Sequence, residues 1–176
     1  MKITRAVSIS CLAGLAGGLL GGGPAARADD CALAFAATIA QAKVPHAVTH
    51  VTAPAGKPPE RVEMIFTGDK IYTQTNGAWH SMAFPAQSQI DMATASQKRA
   101  ETQPHTCAKL GSEPINGEAA SLLTMHAEVG GKVTDGRLWL SDRTGLPLKS
   151  EIHLSDGLVV TDEFRYGNIV APPGAK

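Results

Sequence analysis

Six short segments of turn chemistry divide this chain from residue 68 onward. They are Gly68-Asp69, Asn76-Gly77, Asn116-Gly117, Gly130-Gly131, Asp142-Arg143-Thr144-Gly145 and Ser155-Asp156-Gly157. A tight hairpin needs residues that accept positive φ, and Asn-Gly, Gly-Asp and Asp-Gly do so without a Cβ clash. Each segment lies between stretches of strand character, so each strand is expected to pair with its immediate neighbour. A parallel βαβ sheet carrying a phosphate loop is excluded by that pattern. An antiparallel meander follows, and the helices read below make the fold class α+β.

The chain begins like an exported protein. Lys2 and Arg5 supply a positive start, Ala6 to Leu20 is uncharged, Gly21-Gly22-Gly23-Pro24 breaks any helix, and Ala26-Arg27-Ala28 fits a cleavage site. Before the Gly-Pro break the stretch would span only ~22 Å as a helix, against a hydrocarbon core of ~30 Å. Residues 1–28 are therefore expected to be a cleaved signal peptide, residues 29–176 one domain, and the destination the periplasm. No stable membrane insertion is expected after cleavage. Lysine plus arginine balance aspartate plus glutamate at 16 each, and the signal removes Lys2, Arg5 and Arg27 but no acid. The mildly acidic remainder has no basic cluster, which argues against a nucleic-acid partner.

Cys31 and Cys107 remain after cleavage. In an oxidising compartment an isolated pair is expected to form a disulfide, tying an N-terminal helix to the middle of the sheet; two free thiols are the alternative.

Cys31 to Lys43 is alanine-rich with apolar residues at helical spacing, Asp29-Asp30 sit at its positive end, and Pro45 stops it. Strands are expected over His46–Val51, Arg61–Thr67, Ile71–Thr75, Trp79–Phe84, Cys107–Leu110, Ala119–Glu128, Lys132–Ser141, Leu146–Leu154 and Leu158–Tyr166. Gln87 to Gln103 is polar, with few large apolar residues beyond Ile90 and Met92. It reads as a surface helix or mobile cover, held weakly over the sheet.

The last hairpin can be registered from its charges. A three-residue loop with Gly157 at the left-handed position sets Leu154 opposite Leu158, Ile152 opposite Val160, Ser150 opposite Asp162, Leu148 opposite Phe164 and Leu146 opposite Tyr166. Lys149 then meets Glu163 on the other face, as favourable cross-strand pairs require. A two-residue turn would oppose Glu151 to Asp162. In the preceding hairpin a four-residue Asp142–Gly145 loop puts Trp139 on the face of Leu148, and a slip of one residue would turn it outward. Trp139 is expected inside.

The stretch Gly136-Arg137-Leu138-Trp139-Leu140-Ser141-Asp142-Arg143-Thr144-Gly145-Leu146-Pro147-Leu148, with the strand ending Phe164-Arg165-Tyr166-Gly167-Asn168-Ile169, resembles the C-terminal half of LolA-like periplasmic lipoprotein carriers. The resemblance implies an incomplete, strongly curved antiparallel barrel over an apolar cavity, with helices as a lid. It further implies that a lipid or other hydrophobic ligand is held on the concave face without catalytic residues or a cofactor. The lining would come from the inward set Trp139, Leu148, Ile152, Val160, Phe164 and Tyr166, with Met64 and Phe66 from an earlier strand. Ser150 and Asp162 form a polar pair within that face, either bonding each other or orienting a ligand head group.

Other readings compete. His80 and Met82 share a strand face and carry ligands that soft copper favours, whereas His46 and His50 on one strand would be ~13 Å apart, too far to share an ion. An exposed strand edge could recruit a protein partner. Catalysis has the least support: Ser112 after Gly111 lacks the second glycine of a nucleophile elbow, and Glu113, Glu118 and Glu128 suggest no carboxylate pair.

Overall fold

The computed structural model describes residues 28–129 and 131–175. All of the expected signal peptide except Ala28, together with Gly130 of one expected turn, lies outside the described residues. Two helices and nine strands occur among the described residues: α1 (Ala28–Gln41), β1 (His46–Ala53), β2 (Glu60–Phe66), β3 (Lys70–Thr75), β4 (Ala78–Ala83), α2 (Ala86–Glu101), β5 (His105–Ile115), β6 (Glu118–Val129), β7 (Lys132–Ser141), β8 (Pro147–Leu154) and β9 (Val159–Arg165). Every expected strand is present, though the strand expected over Cys107–Leu110 is much longer, His105–Ile115.

The strands form one antiparallel sheet in the order β4-β3-β2-β1-β9-β8-β7-β6-β5. All six turn segments join neighbours in it. At Asn76-Gly77 and Asn116-Gly117 both residues have positive φ, 52° and 79° in the first, 51° and 83° in the second. Those values suit the hairpin turn whose twist matches that of its strands. One long-range pairing joins the two meanders: β1 lies antiparallel to β9, with Val48 opposite Phe164 and His50 opposite Asp162. Strands β4 and β5 remain as separate edges, so the sheet is a curved half-barrel and the fold is α+β.

Helix α1 lies against one face of this sheet. Cys31, Ala34 and Ala37 recur at three-residue intervals and are all buried. Ala34 and Ala37 bring the helix onto Leu123, Leu138 and Leu140, with Met125 packed alongside. Small side chains permit that close approach. Cys31 is disulfide-bonded to Cys107 of β5, with the Cα atoms 5.1 Å apart. One residue earlier, the Asp30 carboxylate accepts a hydrogen bond from the Lys109 backbone N–H at 3.0 Å, so both bonds secure the same end of α1 to the β5 edge. The polar segment after Pro85 is a helix, and α2 has no buried residue, in line with its lack of large apolar side chains. Lys98 and Arg99 in its last turn suit the negative end of the helix dipole.

The β8–β9 register is the one its charges require: Ser150 faces Asp162, Lys149 faces Glu163 and Ile152 faces Val160. The β7–β8 hairpin corrects one expectation. Its loop has the expected four residues, since Ser141 N–H bonds the Leu146 carbonyl and Leu140 faces Pro147. A bulge then inserts one residue, and Trp139 pairs with Lys149 instead of Leu148. Trp139 still packs with Leu148, as expected, but the slip takes it off the face of Ser150 and Ile152. Trp139 therefore alternates with Leu138 and Leu140 and lies on the side away from α1. It is buried there against Ala120 and Leu148. Its indole N–H donates to the Glu113 carboxylate, and the Lys149 ammonium sits 4.9 Å from the ring centroid.

Candidate functional site

On the α1 side, alternate residues of neighbouring strands line up in rows across the sheet. One row runs Phe164, Val48, Met64, Thr73, His80. The next runs Leu123, Leu138, Ser150, Asp162, His50, Val62. A third runs Met125, Gly136, Ile152, Val160, Thr52. The middle row changes character along its length. Its leucines lie under α1, and three polar side chains from β8, β9 and β1 follow them.

Where α1 ends, the sheet face is less filled. A groove of about 390 Å³ lies between the last turn of α1, the side of α2 carrying Gln89, Met92 and Ala93, and strands β1, β2 and β9. Its apolar wall comes from Val48, Met64, Phe66, Phe84 and Phe164. That volume falls within the ~300–1,000 Å³ common for small-molecule sites. The Phe66 ring stacks on His46 at 4.5 Å and meets Phe84 at 6.2 Å, which gives the groove a rigid aromatic end. Burial lowers the His46 pKa below the ordinary imidazole value, opposed by the Nδ1–H bond to the Val44 carbonyl at 2.8 Å. A neutral ring fits that wall.

Hydrogen bonds link the polar part of the middle row. The Ser150 hydroxyl donates to one Asp162 oxygen at 3.2 Å. His50 Nδ1 lies 2.7 Å from the other oxygen, and His50 Nε2 lies 3.0 Å from the Thr52 hydroxyl. His50 and Asp162 both line the groove, with side chains 32% and 22% exposed, enough to meet a ligand.

The sequence-derived ligand set is distributed over several places. Asp162 and Phe164 line the groove with Met64 and Phe66. Ser150 reaches it through Asp162. Leu148, Phe164 and Tyr166 line a pocket of about 530 Å³ beside the Asn116 and Thr144 turns. Ile152 lines an apolar pocket of about 170 Å³ with Phe35 and Met125. Val160 pairs with Ile152 in the third row, and Trp139 is on the other face. Tyr166 has a structural partner on each side: its hydroxyl donates to the Pro147 carbonyl at 2.6 Å and accepts from Gln41 Nε2 at 3.0 Å. Burial raises its pKa, so the phenol stays a neutral donor.

Sequence reasoning missed Val48, His50, Phe84 and Met92. His50 was weighed only as a partner for His46. The alternation of β1 carries it to the same face as Asp162, but only the β1–β9 pairing brings the two together.

A further recess of about 490 Å³, around His126, Asp135, Arg137 and His153, differs in chemistry. Its histidines are engaged with Asp135 and with Glu151, each at 2.7 Å. Among the described residues, no three His, Cys, Asp or Glu side chains group as a metal site. His80 and Met82 are exposed on the β4 edge. No described helix is long and apolar enough to cross a membrane.

No family model and no curated protein matches the chain. Solved structures do. The MucB component of the Pseudomonas aeruginosa MucA/MucB complex aligns with 84% of this chain at 18% identity and a TM-score of 0.53; the match spans 59% of that protein. LprF from Mycobacterium bovis aligns with 86% of this chain and 99% of its own at 14% identity, TM-score 0.51. NE2245 from Nitrosomonas europaea, a LolA superfamily protein, aligns over 85% of this chain at 10% identity, but its TM-score of 0.31 carries no weight. The half-barrel with its helices on one face is the fold this chain shares with LprF and MucB.

Proposed function

We propose that this chain is an exported, non-catalytic binding protein that holds a lipid or other hydrophobic ligand in the groove between α1, α2 and strands β1, β2 and β9. Residues 1–28 act as its signal peptide, residues 29–176 form one domain, and it works in the periplasm. The observation that carries this reading is the groove itself. Phenylalanine and methionine side chains wall it, one polar cluster opens into it, and its outer cover α2 buries none of its own residues. Apolar walls with a few convergent polar groups are what small-molecule sites have in common. A helix so weakly held can move aside to admit a chain. In this reading Phe164, Asp162, Met64 and Phe66 contact ligand directly and Ser150 acts through Asp162, while Leu148, Ile152, Val160 and Tyr166 lie outside the groove.

The test is mass spectrometry of whatever co-purifies with protein exported to the periplasm, paired with titration of a fluorescent fatty-acyl probe. Co-purified lipid and a saturable probe signal, weakened at least tenfold by Phe164→Ala, support the proposal. Empty extracts together with no probe binding overturn it.

A second reading is favoured by one comparison, the likeness to MucB, which is solved in complex with MucA. Strand β5 is a long free edge, and Leu110 on it is half exposed. Pairing of that edge with a partner strand would make the chain an interaction module. Pull-down from periplasm, repeated after Leu110→Lys, distinguishes this from lipid binding, which that change leaves intact.

A further inference from the structure

The hydrogen-bond directions of the polar cluster select the head group of the ligand. From them we infer that the groove takes an amphiphile with a neutral, hydroxyl-bearing head and discriminates against fatty acids and other anionic lipids. This rests on the hydrophobic-ligand reading above and sharpens it.

Two oxygens of Asp162 receive the Ser150 hydroxyl and His50 Nδ1. With a neutral His50 donating through Nδ1–H, Nε2 is left as an acceptor, and the Thr52 hydroxyl turns its proton to it at 3.0 Å. The donors of Ser150, His50 and Thr52 are then all spent inside the cluster. Acceptors are left over. A carboxylate has about four lone-pair positions, two of them used here, and each hydroxyl oxygen keeps its own lone pairs. The cluster therefore offers the groove acceptor capacity and one negative charge. No lysine or arginine is among the described residues lining the groove. A ligand carboxylate or phosphate meeting the cluster would face a like charge with no lysine or arginine to offset it and with the cluster's own donors already spent. Hydroxyl groups of a glycerol-like head donate to Asp162 and displace water without loss of a hydrogen bond.

Competition against a fluorescent acyl probe at pH 8, where ordinary imidazoles are neutral, separates the possibilities with three probes of one chain length: monoolein, methyl oleate and oleic acid. The expected order is monoolein tightest, methyl oleate weaker for want of a donor, and oleate weakest, with about a tenfold span between the extremes. In Asp162→Asn, which removes the charge and keeps the shape, the span should shrink to about threefold. Oleate binding as tightly as monoolein, equal binding of monoolein and methyl oleate, or an unchanged span in Asp162→Asn would each overturn the head-group inference and leave the groove reading standing. Failure of all three lipids and of the probe itself would overturn both. The wild-type ranking decides the matter even where Asp162→Asn does not fold.

Discussion

Gln41, in the last turn of α1, and Tyr166, just past β9, stand 125 residues apart in sequence and meet through a 3.0 Å hydrogen bond. The phenol donates its own hydrogen bond to the Pro147 carbonyl at 2.6 Å. One side chain thus joins the end of the helix, the end of the last strand and the start of the β7–β8 bulge. Tyr166→Phe keeps the ring but strands the Gln41 amide and the Pro147 carbonyl. We expect a loss of about 1–3 kcal/mol in urea unfolding, with the m-value unchanged. A loss below about 0.5 kcal/mol would show that water replaces the phenol without penalty.

The Cys31–Cys107 disulfide closes a loop with a sequence separation of 76. Constraint of the unfolded chain on that scale is worth up to ~4 kcal/mol in the entropy model. Because α1 is otherwise attached largely through alanines and the Asp30–Lys109 contact, reduction should lower the melting temperature and release α1 before the sheet unfolds. Thermal melts with and without reductant measure the first effect. Hydrogen exchange measures the second, as faster exchange in residues 31–41 than in β6 and β7.

Leu123 is 0% exposed and lies beneath Ala34 and Ala37. Two helix alanines cannot expand into the space of a lost leucine, so Leu123→Ala leaves a cavity and should cost about 2–5 kcal/mol. Chemical denaturation gives the value directly. Met92→Ala, on the exposed cover helix, should fall within about 0.5 kcal/mol of wild type.

His46 has a folded pKa below its unfolded value because burial disfavours the imidazolium. At pH values under ~6.5 the unfolded chain takes up a proton that the folded chain refuses. Stability from this residue is therefore complete above ~6.5 and is lost as pH falls below it. Glu151, held below the usual carboxylate range chiefly by its hydrogen bond to His153, responds only at lower pH. Melting temperatures at pH 7.5 and 5.5 should fall further in wild type than in His46→Gln. Parallel losses in both proteins would place the sensitivity elsewhere.

Much of the half-barrel was legible because its determinants are local. Asn76-Gly77 and Asn116-Gly117 dictate hairpins through backbone sterics alone. The pairing of Lys149 with Glu163 follows from charge, since a shorter loop would oppose Glu151 to Asp162. The α2 segment was legible as a surface helix from its lack of large apolar residues. Trp139 was rightly set inside with Leu148 but wrongly on the face of Ser150 and Ile152, because an inserted residue near Pro147-Leu148 leaves no mark in the alternation pattern.

From the amino-acid order alone came the strands, their turns, the β8–β9 register and the Ser150–Asp162 pair, each set by interactions between near neighbours in the chain. Only the tertiary structure decided that β1 lies beside β9, which sets His50 against Asp162 and builds the polar end of the groove. Only it decided that α1 fills the sheet over Leu123 and Leu138 and leaves it open beyond Gln41. Both depend on contacts between residues more than a hundred positions apart or between a helix and a surface, and no local pattern encodes such distances.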